Sequence, residues 1–100
     1  MKKTKQRNNR SDQKIMSYPY TYNIAPEFDS ESFWHIVKKL DTTLPAGTMQ
    51  EFIEDYLDGS LLKIYHSAGK VVRVECDWDI GAVFIDSEIN LDAIIGSDEV

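Results

Sequence analysis

The sequence holds a single cysteine, Cys76, in 100 residues, so no internal disulfide can form. That fits a reducing compartment, or a fold that needs no covalent staple. Histidine is nearly as scarce. His35 and His66 have no Cys or His at ligand spacing, which argues against zinc and for surface positions on a helix and a strand. No apolar run approaches the ~20 residues of a membrane span. The basic opening MKKTKQRNNRSDQKIM is not followed by the apolar segment of a signal peptide. The expectation is a cytoplasmic protein with no membrane association. The chain also lacks a G-x-S-x-G, a P-loop and a dinucleotide fingerprint. DWDIGAVFIDSE lacks the acid spacing of a calcium loop. No catalytic, cofactor-binding or metal-binding residue is assigned, and the expectation is a protein that is not an enzyme.

Positive charge is scarce beyond the start of the chain. Residues 1–15 carry six Lys or Arg against one Asp, a net +5, while residues 16–100 carry five against sixteen acids, a net −11. The first segment is polar, lacks aromatics and has no periodicity, so it reads as a disordered basic tail. Met16 is a second candidate start. Residues 16–96 read as one α+β domain and residues 97–100 as a frayed acidic end. The acidic body repels phosphate, so the folded domain is not expected to bind nucleic acid.

The body reads as β-α-α-β-β-β, a four-stranded antiparallel sheet with two helices packed on one face. Tyr18, Tyr20, Tyr22 and Ile24 alternate along a first strand, which Pro19 either confines to an edge or delays to Thr21. Phe33, Ile36, Val37 and Leu40 have helical spacing, with Asp29 or Ser30 to cap the helix. Thr48-x-x-Glu51 is a capping-box pattern. Met49, Phe52, Ile53, Tyr56 and Leu57 follow it at helical spacing, and Gly59 suits a left-handed cap. A second helix is expected from about Met49 to Asp58. SLLKIYHS, KVVRVECDWD and AVFIDSEINL then form a meander, turning at Ala68-Gly69 and near Ile80-Gly81.

The second hairpin raises the functional question. Val72, Val74, Cys76 and Trp78 share one face of its first strand, while Arg73, Glu75, Asp77 and Asp79 share the other. The preferred two-residue turn at Ile80-Gly81 pairs Asp77 with Phe84, Glu75 with Asp86 and Arg73 with Glu88, whereas a three-residue turn with Gly81 left-handed would shift the register and mix the faces. The apolar face is the core, so Cys76 is a small buried hydrophobe rather than a nucleophile. The other face gathers Glu75, Asp77, Asp79, Asp86 and Glu88 around an exposed Phe84. Such an arrangement fits an apolar anchor within an acidic rim, and hence a cationic protein partner. The bland reading is a solvated face that discourages aggregation.

A small acidic α+β domain with VECDWD and FIDSE across a sheet resembles the bacterial immunity proteins of contact-dependent growth inhibition and related polymorphic toxin systems. The resemblance covers residues 16–100 in general character, and the basic tail departs from it. It implies a toxin inhibitor that binds a secreted cationic toxin domain, often a nuclease, and occludes it. The partner-binding residues expected from the charge map are Glu75, Asp77, Asp79, Phe84, Asp86 and Glu88. The alternative is a small bacterial regulatory or adaptor domain that binds another protein without catalysis.

Overall fold

The computed structural model describes residues 18–99. The expected basic tail at 1–15 lies outside the described residues. In chain order the elements are β1 (Tyr20–Ala25), α1 (Ser30–Thr43), β2 (Met49–Glu54), β3 (Leu61–Ser67), β4 (Lys70–Asp77), β5 (Ala82–Ser87) and α2 (Asp92–Ile95), then a 3-10 turn at Gly96–Asp98. The strands form one antiparallel sheet in the order β1-β5-β4-β3-β2. No helix among the described residues is long and apolar enough to cross a membrane.

The α+β class stands, with the sheet one strand larger than expected. Met49–Glu54 is a strand, not part of a helix, and the second helix is the short α2. The capping-box residues are used differently. Thr48 Oγ1 donates to the Pro45 carbonyl at 2.7 Å, and the Glu51 carboxylate meets His66 Nε2 across the strands at 3.1 Å. Pairing with β3 satisfies backbone groups that a helix here would have left on an open sheet edge. Gly59 is left-handed (φ +82), as expected, but it closes the β2–β3 hairpin. Its N–H donates to the Asp55 carbonyl at 2.7 Å, and Asp55 N–H donates to Ser60 at 2.8 Å.

Helix α1 covers the centre of the sheet, packing on β4, β1 and β5. Asp29 caps it, accepting from Glu31 N–H at 3.1 Å and from the Ser32 hydroxyl at 2.8 Å. Phe33, Ile36, Val37 and Leu40 are buried against Tyr22, Tyr65, Val72, Val74, Cys76, Val83 and Ile85. The Tyr65 hydroxyl lies 3.2 Å from the Val37 carbonyl and 2.8 Å from the Asp41 carboxylate, tying β3 to the helix. Tyr22 ties down the C-terminal segment. Its hydroxyl accepts from the buried Leu91 N–H at 2.8 Å and donates to Asp92 at 2.8 Å. Asp98 is held by Lys39 of α1.

The β3–β4 hairpin turns through Ala68 and Gly69, both left-handed (φ 51 and 79), as a two-residue loop between twisted strands requires. The β4–β5 turn is longer than expected. Asp77 pairs with Ala82, Glu75 with Phe84 and Arg73 with Asp86, a shift of two residues from the expected register. Trp78 to Gly81 form the turn. Asp77 closes it, its carboxylate accepting from Ile80 N–H at 3.0 Å and its carbonyl from Gly81 N–H at 2.8 Å. A slip of two leaves every side chain on its original face. It also removes the expected opposition of Glu75 and Asp86 and sets Arg73 against Asp86, which is favourable.

Candidate interaction surface

The face of β4 and β5 turned away from α1 carries most of the residues singled out by charge, and it is not the uniformly exposed acidic surface expected. Phe84 is only 3% exposed and its neighbour Glu75 7%. Phe84 is therefore not the exposed anchor that alternation implied. Arg73 sits among the acids, opposite Asp86 and with its guanidinium 4.0 Å from the Glu75 carboxylate. Glu88 is engaged with the backbone of Val71, its carboxylate accepting from that N–H at 2.8 Å. Its own N–H donates to the Val71 carbonyl at 2.9 Å. Asp79 lies beyond the strand, in the exposed turn.

The acidic surface is gathered instead at one end of the sheet. A hollow of about 330 Å³ is lined by Asp55, Asp58, Glu75, Asp77 and Asp79, with Arg73 the one cation in its wall among the described residues. Residues of β2, β3 and β4 line it together with residues of two loops, 55–60 between β2 and β3 and 78–81 between β4 and β5. Each loop locks its acids with short hydrogen bonds. Asp55 accepts from Leu57 N–H at 2.9 Å and Asp58 from Ser60 N–H at 2.8 Å. The Ser60 hydroxyl accepts from Trp78 N–H at 2.9 Å, joining the two loops. One oxygen of Asp55, Asp58 and Asp77 thus fixes a turn, and the carboxylate it belongs to is held in place at the hollow. Sequence reasoning found Asp77, Asp79 and Glu75 but missed Asp55 and Asp58. The signal was present: acids two residues before a backbone donor, followed by Gly59, mark an Asx-turn loop.

The wider field has the same sign. Of the five Lys and Arg in the body, Lys39 pairs with Asp98, Lys63 lies 4.0 Å from Asp41, and Arg73 faces Glu75. Carboxylates in a concave surface with few compensating cations focus a negative potential outward.

Ile53 lines the hollow, and other apolar side chains are exposed elsewhere on the molecule. Trp78, expected on the core face, is 57% exposed because the turn begins there. It rests edge-on against Phe28, ring centres 5.1 Å apart. Met49, Phe52, Ile53, Tyr56 and Leu57 are also exposed.

Cys76 is fully buried, and that burial, with Asp29 and Asp77 near it, raises its pKa above the ordinary thiol value. Among the described residues no three His, Cys, Asp or Glu side chains converge as a metal site requires. His66 is paired with Glu51, and His35 lies 3.5 Å from Asp98. A second hollow, of about 410 Å³, lies beside the start of α1 between Asp29, Glu31, His35 and Asp98. Two of its acids already have structural work: Asp29 caps the helix, and Asp98 holds Lys39. The hydrogen bond from Lys39 keeps the Asp98 carboxyl below the usual carboxylate range.

No family model, curated protein or solved structure matches the chain.

Proposed function

We propose that this chain is an immunity protein: a non-enzymatic inhibitor that binds a cationic toxin domain, a basic nuclease by chemistry, and occludes it. The observation that carries the proposal is the hollow at the end of the sheet. Five carboxylates and one arginine line it, and turn hydrogen bonds hold three of those acids, Asp55, Asp58 and Asp77, before any partner arrives. Fixed anions at this density imitate a row of phosphates. They repel nucleic acid itself and fit the basic cleft that would otherwise hold it. Asp77 and Asp79 remain in the partner-binding set, joined by Asp55 and Asp58. Glu75 and Asp86 act mainly around Arg73, and Glu88 and Phe84 support the sheet. No cofactor or membrane enters this mechanism, and its place is the cytoplasm.

The second reading is a regulatory or adaptor domain that docks through apolar contacts, favoured by the exposed side chains of Met49 to Leu57. The two differ in their response to salt. The test uses the full chain as bait at low and high salt, with the captured protein identified by mass spectrometry. A second bait carries Asp55→Asn, Asp58→Asn, Asp77→Asn and Asp79→Asn. Asparagine keeps the oxygen that accepts each turn hydrogen bond and removes the charge. The expected result is a basic partner retained at low salt, released at high salt and lost with the four-asparagine bait. Equal capture by both baits at both salts would overturn the acidic-hollow reading.

A further inference from the structure

Among the described residues strand β2 is the last strand of the sheet, paired with β3 on one side only. All six of its residues are exposed. Seven large apolar side chains are exposed among the described residues. Five fall between Met49 and Leu57: Met49 (71%), Phe52 (44%), Ile53 (50%), Tyr56 (87%) and Leu57 (97%). A sixth, Trp34 of α1, packs on Phe52 with ring centres 5.3 Å apart. Edge strands are commonly guarded by charged side chains, lysine above all, or by proline; MQEFIE has Glu51 and Glu54 but no lysine or proline. The sheet therefore ends in unpaired backbone groups flanked by apolar side chains on both faces.

We propose that β2 pairs with β2 of a second copy of this chain, antiparallel about a two-fold axis, joining the two sheets into one. The sequence selects the register. In such a pair one residue must face its own copy, because residues directly opposite share a face and a hydrogen-bonding direction. Centring on Glu51 sets carboxylate against carboxylate. Centring on Ile53 sets Glu51 against Asp55. Centring on Gln50 overlaps only Met49 to Glu51. Centring on Phe52 overlaps Gln50 to Glu54, with Phe52 facing Phe52, Glu51 facing Ile53 and Glu54 facing Gln50, so no carboxylate opposes another. The two Phe52–Trp34 pairs then meet as one apolar seam on the helix side.

The acidic hollows survive in this arrangement. Asp55 of one copy and Asp55 of the other are six residues apart along the paired strands, roughly 20 Å at ~3.4 Å per residue. That exceeds the Debye length of ~8 Å at physiological salt, so their repulsion is screened.

The net charge of −6 gives the dimer a diagnostic sign. Added salt screens repulsion between like-charged copies and tightens the dimer. A cationic partner on the same edge would be loosened instead. The experiment is analytical ultracentrifugation of the full chain from about 1 to 500 µM, at low and high salt. Expected are a concentration-dependent dimer, tighter at high salt, and a dissociation constant at least ~10-fold larger for Phe52→Lys, which sets two ammonium groups face to face on the edge. Circular dichroism and NMR spectra check that this variant folds. Register is read separately by oxidation of Phe52→Cys and Gln50→Cys. Phe52→Cys should cross-link to its copy. Gln50→Cys should not, since its copy lies about four residues away, far beyond the ~7 Å Cα limit of a disulfide. Should Phe52→Lys not fold, the cysteine pair carries the test. A monomer at all concentrations, a dimer loosened by salt, or preferential cross-linking through Gln50→Cys would each overturn the proposal.

Discussion

Replacing Tyr22 by Phe removes one oxygen and leaves the ring in place. That oxygen is the junction between β1 and the C-terminal segment. It accepts from Leu91 N–H at 2.8 Å in a buried setting and donates to Asp92 at 2.8 Å. Loss of the acceptor strands a backbone donor beside the fully buried Leu91 side chain. An unsatisfied buried donor costs about 1–3 kcal/mol. The Asp92 bond adds less, because Asp92 is exposed and water can replace the hydroxyl. A total of about 2–3 kcal/mol follows, which for a domain of this size lowers the melting temperature by roughly 8–24 °C. Thermal unfolding at neutral pH measures the loss, and hydrogen exchange at the Leu91 amide locates it. A fall under about 3 °C with that amide still protected would refute the reasoning. The same residue contributes a pH dependence. Burial, and next the bond to Asp92, raise the Tyr22 pKa above its ordinary value, and Tyr65 is raised by burial more strongly still. A folded pKa above the unfolded one means stability that is complete below about pH 10 and lost as pH climbs through the folded values. Alkaline unfolding should therefore begin above about pH 10 and be less steep in Tyr22→Phe.

Three further predictions test the frame of the fold. Phe33→Ala empties a fully buried site under α1 and should cost about 3–5 kcal/mol in denaturant unfolding. Gly69→Ala meets no neighbouring atom but must hold φ +79, so it should cost about 1–2 kcal/mol from backbone strain alone. Asp98→Asn should cost less than about 1 kcal/mol near neutral pH, because the Lys39 pair is partly exposed and screened. The pair's depressed carboxyl makes that contribution present above about pH 4 and lost as pH falls further. Wild type and Asp98→Asn should therefore converge in acid.

Which parts of the fold were legible follows from the range of the interactions that decide them. Alternation gave the faces of β3, β4 and β5, because a side chain's face depends only on its own strand. The register of β4 against β5 was hidden, because it turns on whether Asp77 or Asp79 closes the loop. The Asp77 carboxylate settles it by taking Ile80 N–H. For β2, Met49, Phe52, Ile53, Tyr56 and Leu57 fit a helical period, and their local pattern is satisfied by a helix. The deciding partner is the distant edge of β3, which no local pattern reports. That error displaced the candidate site. With 49–58 read as a helix, Asp55 and Asp58 stood far from Asp77. As a hairpin, they face it across the same hollow. The burial of Phe84 was likewise invisible to a period of two.

The central claim is inhibition by occlusion, and the measurement that tests it most directly is a titration. The basic protein captured by the chain is assayed for its own activity, nuclease activity first, while the chain is added in steps. The account predicts activity that falls linearly to nothing at one chain per partner, with the four-asparagine variant inhibiting at least ~10-fold more weakly at low salt. Full partner activity in the presence of saturating chain, or equal inhibition by the four-asparagine variant, would contradict it.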